Sequence, residues 1–136
     1  MGDFYQTESF STLHRLNRNN VGLLEEQLLD FCETRPIALV LPCLYAELQG
    51  EALKNILEQL KEVRYLNEIV ITLGRADENE FRHAREFFSV LPDNYKIIWD
   101  DGDKMTAIYN LLKESGLEVG EAGKGRAAWI AYGYVL

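Results

Sequence analysis

Late in the chain stands Gly123-Lys124-Gly125-Arg126, the run with the strongest chemical signal. Glycines on both sides of Lys124 let the backbone come close to a ligand. A helix start leaves peptide N–H groups free, and Lys124 and Arg126 add positive charge. That combination suits a phosphate or a pyrophosphate. It is not a Walker loop: Glu118 stands where the first glycine belongs, and Gly125 replaces the Ser or Thr after the lysine. The alternative is a flexible turn with two solvated cations.

A second candidate is Pro42-Cys43-Leu44-Tyr45-Ala46-Glu47. It follows five unbroken apolar residues, 37–41, which read as a strand buried on both faces. Pro42 cannot donate to a sheet ladder, so the chain is expected to leave the sheet there. The carboxyl end of a central strand is where open α/β sheets bind ligands. Glu47 can accept hydrogen bonds from a ribose or base, or simply be an acid in a first helical turn. Tyr45 can stack on a base or cover the rim. No Gly-x-Gly-x-x-Gly follows this strand, which speaks against a dinucleotide site.

Other chemistry is poorly supported. Asp100, Asp101 and Asp103 form an oxygen-rich loop of the kind that binds hard cations. EF-hand spacing fails, since no Glu follows at the twelfth position, and Asp103 is better read as a helix cap. His14 and His83 are isolated, so neither a zinc site nor a catalytic triad can be assembled. Cys32 and Cys43 form no Cys-x-x-Cys and read as free thiols of a reducing compartment.

The elements that must position these residues follow from periodicity. Residues 1–18 read as an irregular arm with a basic end at His14, Arg15 and Arg18. Asn19 or Asn20 can cap a helix over 21–34, with Leu24, Leu28 and Phe31 inward. A second helix spans about 50–64, with Leu53, Ile56, Leu57, Leu60 and Val63 on one face. Strand two is 68–73, and Gly74-Arg75-Ala76 leaves it. Asp77 caps helix three with Glu80 as its capping-box partner. Strand three is 95–99. Helix four carries Met105, Ile108 and Leu112 inward and ends at Ser115-Gly116. Alternation of this kind means βαβ units and a parallel sheet; right-handed crossovers to one side give the partial order 3-2-1. The fold class is therefore an open parallel Rossmann-like α/β sheet with flanking helices.

The chain has 136 residues, which fits one domain, and 47% are apolar, enough for a core. A net charge of −8 argues against a general nucleic-acid surface. No signal peptide or transmembrane segment is readable, so a cytoplasmic protein is expected. Residues 127–136 are apolar almost all round and read as a buried helix. They run to Leu136 without a cap or polar tail, so a further strand beside strand one is expected in a longer protein. Without it, strand one is an apolar edge and the final helix is undercovered, which predicts a homo-oligomer.

Ala38-Leu39-Val40-Leu41-Pro42 with Glu47, then Ile69-Val70-Ile71 with its Gly- and Asp-containing exit, then Gly123-Lys124-Gly125 opening an apolar helix, resemble the first half of a family 2 type glycosyltransferase. Within that family the likeness is to the glucosyl-3-phosphoglycerate and glucosylglycerate synthase group, and it covers nearly the whole chain. The resemblance implies the N-terminal half of a GT-A fold that binds a nucleotide diphosphate sugar. It implies donor contacts from Pro42, Leu44, Tyr45 and Glu47, from Gly74 and Arg75, and from Lys124. The full enzyme would use a divalent cation, Mg or Mn, and transfer a hexose, glucose by the likeness, to a small acceptor such as 3-phosphoglycerate or glycerate. Two departures stand out. The family's Asn-Glu-Glu is Tyr45-Ala46-Glu47 here, and its Asp-x-Gly-Ser-x-Asp is Thr72-Leu73-Gly74-Arg75-Ala76-Asp77. The metal-binding Asp-x-Asp would lie after Leu136, so residues 1–136 are expected to be a donor-binding part without transferase activity alone. No catalytic or metal-binding residue is assigned within it. A non-catalytic, flavodoxin-like interaction domain is the competing reading.

Overall fold

A computed structural model describes residues 21–136. The arm 1–18 and the capping asparagines 19 and 20 lie outside the described residues. Three strands, β1 (Ile37–Leu44), β2 (Leu66–Gly74) and β3 (Tyr95–Trp99), pair in parallel in the order β1-β2-β3. This is the expected 3-2-1 sheet. Helices α1 (Val21–Thr34), α2 (Glu51–Leu60), α3 (Glu78–Phe88), α4 (Asp103–Glu114) and α5 (Lys124–Val135) flank it, and a 3-10 turn covers Tyr45–Gln49.

Strand alternation sorts the core. Ile69, Ile71 and Leu73 face one side and join Leu53, Leu57, Ala84 and Phe88 of α2 and α3 in one cluster. Val70 and Thr72 face the other side, where α5 lies against β1 and β2 with Ala131 fully buried. All of these strand residues are at most 1% exposed, so β2 is buried on both faces, as its β-branched sequence demands.

Strand one does not stop at Pro42. It runs through the proline to Leu44. The reason is register. Ile69 N–H donates to Asn94 O at 2.9 Å and Leu73 O accepts from Asp100 N–H at 2.9 Å, so these residues turn their peptides toward β3. Thr72 therefore turns toward β1, and Pro42, its direct partner, faces away from β2. The missing N–H falls on the side of β1 that has no strand among the described residues, where it costs no ladder bond.

The helix signals fare unevenly. Asp77 caps α3: its Oδ1 accepts from Glu80 N–H at 2.8 Å, and Glu80 returns the bond to Asp77 N–H at 2.8 Å. α4 ends as expected, with Gly116 at φ 77° and Leu117 N–H reaching Leu112 O. Its N-cap is Gly102, however, and Asp103 is the first helical residue. A side chain at 102 would meet Trp99 Cε3 at 2.7 Å, so packing against the indole selects glycine. α2 is shorter than expected and leaves Ile56 42% exposed. In α1, Phe31 is exposed and nothing is buried. Ile108 of α4 is also exposed. The largest correction is α5: it is one-sided, with Ala131 inward and Trp129, Tyr132 and Tyr134 outward. Small residues let its backbone approach the sheet, and the aromatics are left on the other face. No described helix is long and apolar enough to cross a membrane.

Candidate functional site

The carboxyl ends of the strands open into one cleft of about 200 Å³. β1 contributes Pro42, Cys43 and Leu44, the exit of β2 contributes Gly74 and Arg75, and the exit of β3 contributes Asp100 and Asp101. Ala122, Gly123, Lys124 and Ala127 close the last wall. The start of α5 therefore faces the cleft. Its N-cap, Gly123, has no side chain to satisfy the first-turn amides, and the first intrahelical bond is Ala127 N–H to Gly123 O at 3.0 Å. The N–H groups of Lys124, Gly125 and Arg126 are thus available to an anion.

Local structure fixes each wall. Arg75 adopts φ 54°, the left-handed region that non-glycine residues seldom enter. That turn delivers the Ala76 peptide to two partners. Its N–H donates to Asp101 Oδ2 at 3.0 Å, and its carbonyl accepts from Trp99 Nε1–H at 2.8 Å. Glu47 accepts from Leu44 N–H at 2.8 Å, which closes the turn after β1. Its other oxygen lies 3.9 Å from Lys124 Nζ, a loose and solvent-exposed pairing across the cleft mouth.

Charges inside the cleft are largely settled. Asp100, 8% exposed, accepts from Arg126 Nη2 at 2.8 Å and from the Tyr109 hydroxyl. The hydrogen bond to Asp100 raises the Arg126 pKa further. Burial, then the bond to Asp100, pushes the Tyr109 phenol up. Burial, with Glu47 nearby, pushes the Cys43 thiol from 9.0 up to about 12, so it stays protonated and inert. Lys124 is left as an exposed cation at the rim.

Over its whole length the chain is 39% identical to a glucosyl-3-phosphoglycerate synthase of Persephonella marina, of which it covers 34%. It is also 33% identical, over 96% of the chain, to a glucosyl-3-phosphoglycerate synthase of Methanococcoides burtonii, of which it covers 32%. The chain is a relative of the glucosyl-3-phosphoglycerate synthases. It spans about a third of the length of the curated relatives it matches. No family model and no solved structure matches it.

The residues that the synthase resemblance singles out divide in two. Pro42, Leu44, Gly74, Arg75 and Lys124 line the cleft. Tyr45 and Glu47 do not. Tyr45 turns toward α3, where its hydroxyl and His83 Nδ1 lie 2.9 Å apart and the rings meet edge to face. It covers the rim there and does not stack in the cleft. Glu47 sits on the adjoining wall, beside Gly50 and Leu53. Arg126, read from sequence as a second phosphate cation, is instead committed to Asp100.

Asp100, Asp101, Ala122 and Ala127 also line the cleft, beyond the stretches that the sequence reading assigns to it. The signal for the aspartates was present, since any strand exit in a parallel sheet falls on the same rim. A divalent cation does not fit the described residues. Asp100 is occupied by Arg126 and Tyr109, Asp101 by Ala76 N–H, and no group of three acidic, His or Cys side chains converges.

Proposed function

We propose that the cleft holds the diphosphate and nucleoside of a nucleotide sugar, and that the full protein is a glycosyltransferase. By the names of its relatives, the full protein would move glucose to 3-phosphoglycerate, and the family resemblance adds glycerate as a related acceptor. Mg or Mn would act in the full-length enzyme, on ligands other than the described ones. One observation carries the reading: Lys124 and the uncapped start of α5 face the exits of β1 and β2 across a single cleft. A phosphate there meets free N–H groups, the positive end of a helix dipole and an exposed ammonium. The apolar wall of Pro42 and Leu44 suits the nucleoside.

Calorimetric titration with uridine, guanosine and adenosine and with the diphosphate of each tests this. One nucleoside diphosphate should bind more tightly than its nucleoside. Lys124→Ala should weaken the diphosphate by about 1–3 kcal/mol, the scale of a charge-assisted hydrogen bond, and leave the nucleoside nearly unchanged. Equal losses for both, or no binding of any of these ligands, would defeat the assignment. The reading as an interaction domain draws on the exposed aromatics of α5, and it predicts that last result.

A further inference from the structure

Asp100 and Asp101 leave β3 side by side and reach to different walls of the cleft. Asp101 holds the exit of β2 through Ala76 N–H at 3.0 Å. Asp100 holds the first turn of α5 through Arg126 at 2.8 Å, and α4 through the Tyr109 hydroxyl. The Arg126 guanidinium also lies over the Tyr109 ring, 4.5 Å from its centroid. Arg126 is 16% exposed and Asp100 8%, so this pair is shielded, unlike the surface pairs of α2 and α3. Breaking it would leave a buried charge unpaired. The segment that leads into α5 adds little restraint of its own. Among the described residues, 118–122 make no backbone hydrogen bond outside regular elements, and Gly120 turns at φ 72°.

We propose that Asp100 and Asp101 form a clasp that sets the width of the cleft, with Arg126 a positioning residue that fixes Lys124 and not a ligand of the diphosphate. The proposal rests on the donor-site reading for what the cleft holds. Its geometry stands apart from that reading: one dipeptide ties the β2 exit, α4 and α5 to the end of β3. Because only one Nη of Arg126 serves Asp100, and its Nε has no acceptor among the described residues, a lysine can keep part of the clasp.

Hydrogen exchange on the ligand-free chain, read by residue, tests this directly. In Asp100→Asn, the hydrogen-bonded amides of 127–129, the first of them bonded to Gly123 O, should exchange at least about tenfold faster, with those of 70–73 unchanged. Asp101→Asn should speed Ala76 and spare α5. Arg126→Ala should match Asp100→Asn, and Arg126→Lys should recover part of the protection. Uridine diphosphate affinity should fall roughly tenfold in Asp100→Asn, with uridine affinity kept. Unchanged exchange, or an equal rise throughout the chain, would overturn the clasp. So would Arg126→Ala losing the diphosphate with exchange unchanged, since Arg126 would then be a direct contact. If Asp100→Asn does not fold, Tyr109→Phe should show the same local rise in smaller degree, and its absence is equally decisive. A wild-type chain that binds neither ligand defeats the donor reading, while exchange still decides the clasp.

Discussion

Lys124 and Arg126 stand two residues apart and meet different fates. Lys124 stays exposed at the cleft mouth, while Arg126 turns under the helix to Asp100. Sequence could show that both are cations near a helix start. It could not show which one a buried carboxylate would capture, because Asp100 lies 26 residues away on another element. Cys43 is a similar case. Read as a loop thiol, it is a buried strand residue because Pro42 does not end β1. Its raised pKa has a consequence with a definite sign. Below pH 9 both folded and unfolded thiols are protonated, and the stabilisation is complete. As pH rises toward about 12, the unfolded chain releases this proton and the folded one keeps it, so stability is lost through that window. Urea unfolding at pH 8 to 11 should show the advantage of wild type over Cys43→Ala shrinking as pH rises. Parallel curves would contradict the burial of this thiol.

At the scale of elements, local signals that stand alone were legible. The Asp77 and Glu80 box and the Gly116 stop are where capping chemistry places them, and all three strands form where periodicity puts them, with β1 running on past its expected end to Leu44 and β2 longer at both ends. Signals that depend on neighbours were not. A helix apolar all round reads as buried, yet α5 buries only Ala131 fully, since the small side chains determine which face meets the sheet. Tyr45 illustrates the same limit, for its partner His83 lies on α3. Asp77 provides the test here. Asp77→Ala removes the bond to Glu80 N–H and should cost about 1 kcal/mol, read as a lower urea midpoint with unchanged slope. Because α3 carries Ala84 and Phe88 into the core, the loss should appear in global unfolding. No change in midpoint would mean that the cap is redundant with core packing.

For the whole molecule, the order of the sheet and the position of the rim follow from two successive βαβ units and the handedness rule. Surface character does not. β1 has no strand on its outer side among the described residues, but Pro42 faces that side and blunts it as a template. The apolar groove between α4 and α5, lined by Ile98, Met105, Leu112, Trp129, Ile130 and Tyr134, is the larger exposed apolar feature. Surface of this kind promotes association. Sedimentation at micromolar concentration should therefore show self-association that weakens in Trp129→Glu. A strictly monomeric particle at all concentrations would contradict it.

On the donor-site proposal, one cleft at the carboxyl ends of the parallel strands receives a nucleoside diphosphate. Mapping backbone amide shifts while titrating uridine diphosphate into the isotope-labelled chain tests it most directly. Perturbations should be confined to 43–44, 74–76, 100–101 and 122–127, with the α5 amides moving most. Saturable perturbations centred instead on 109–120 or on the groove between α4 and α5, or none at all, would contradict it.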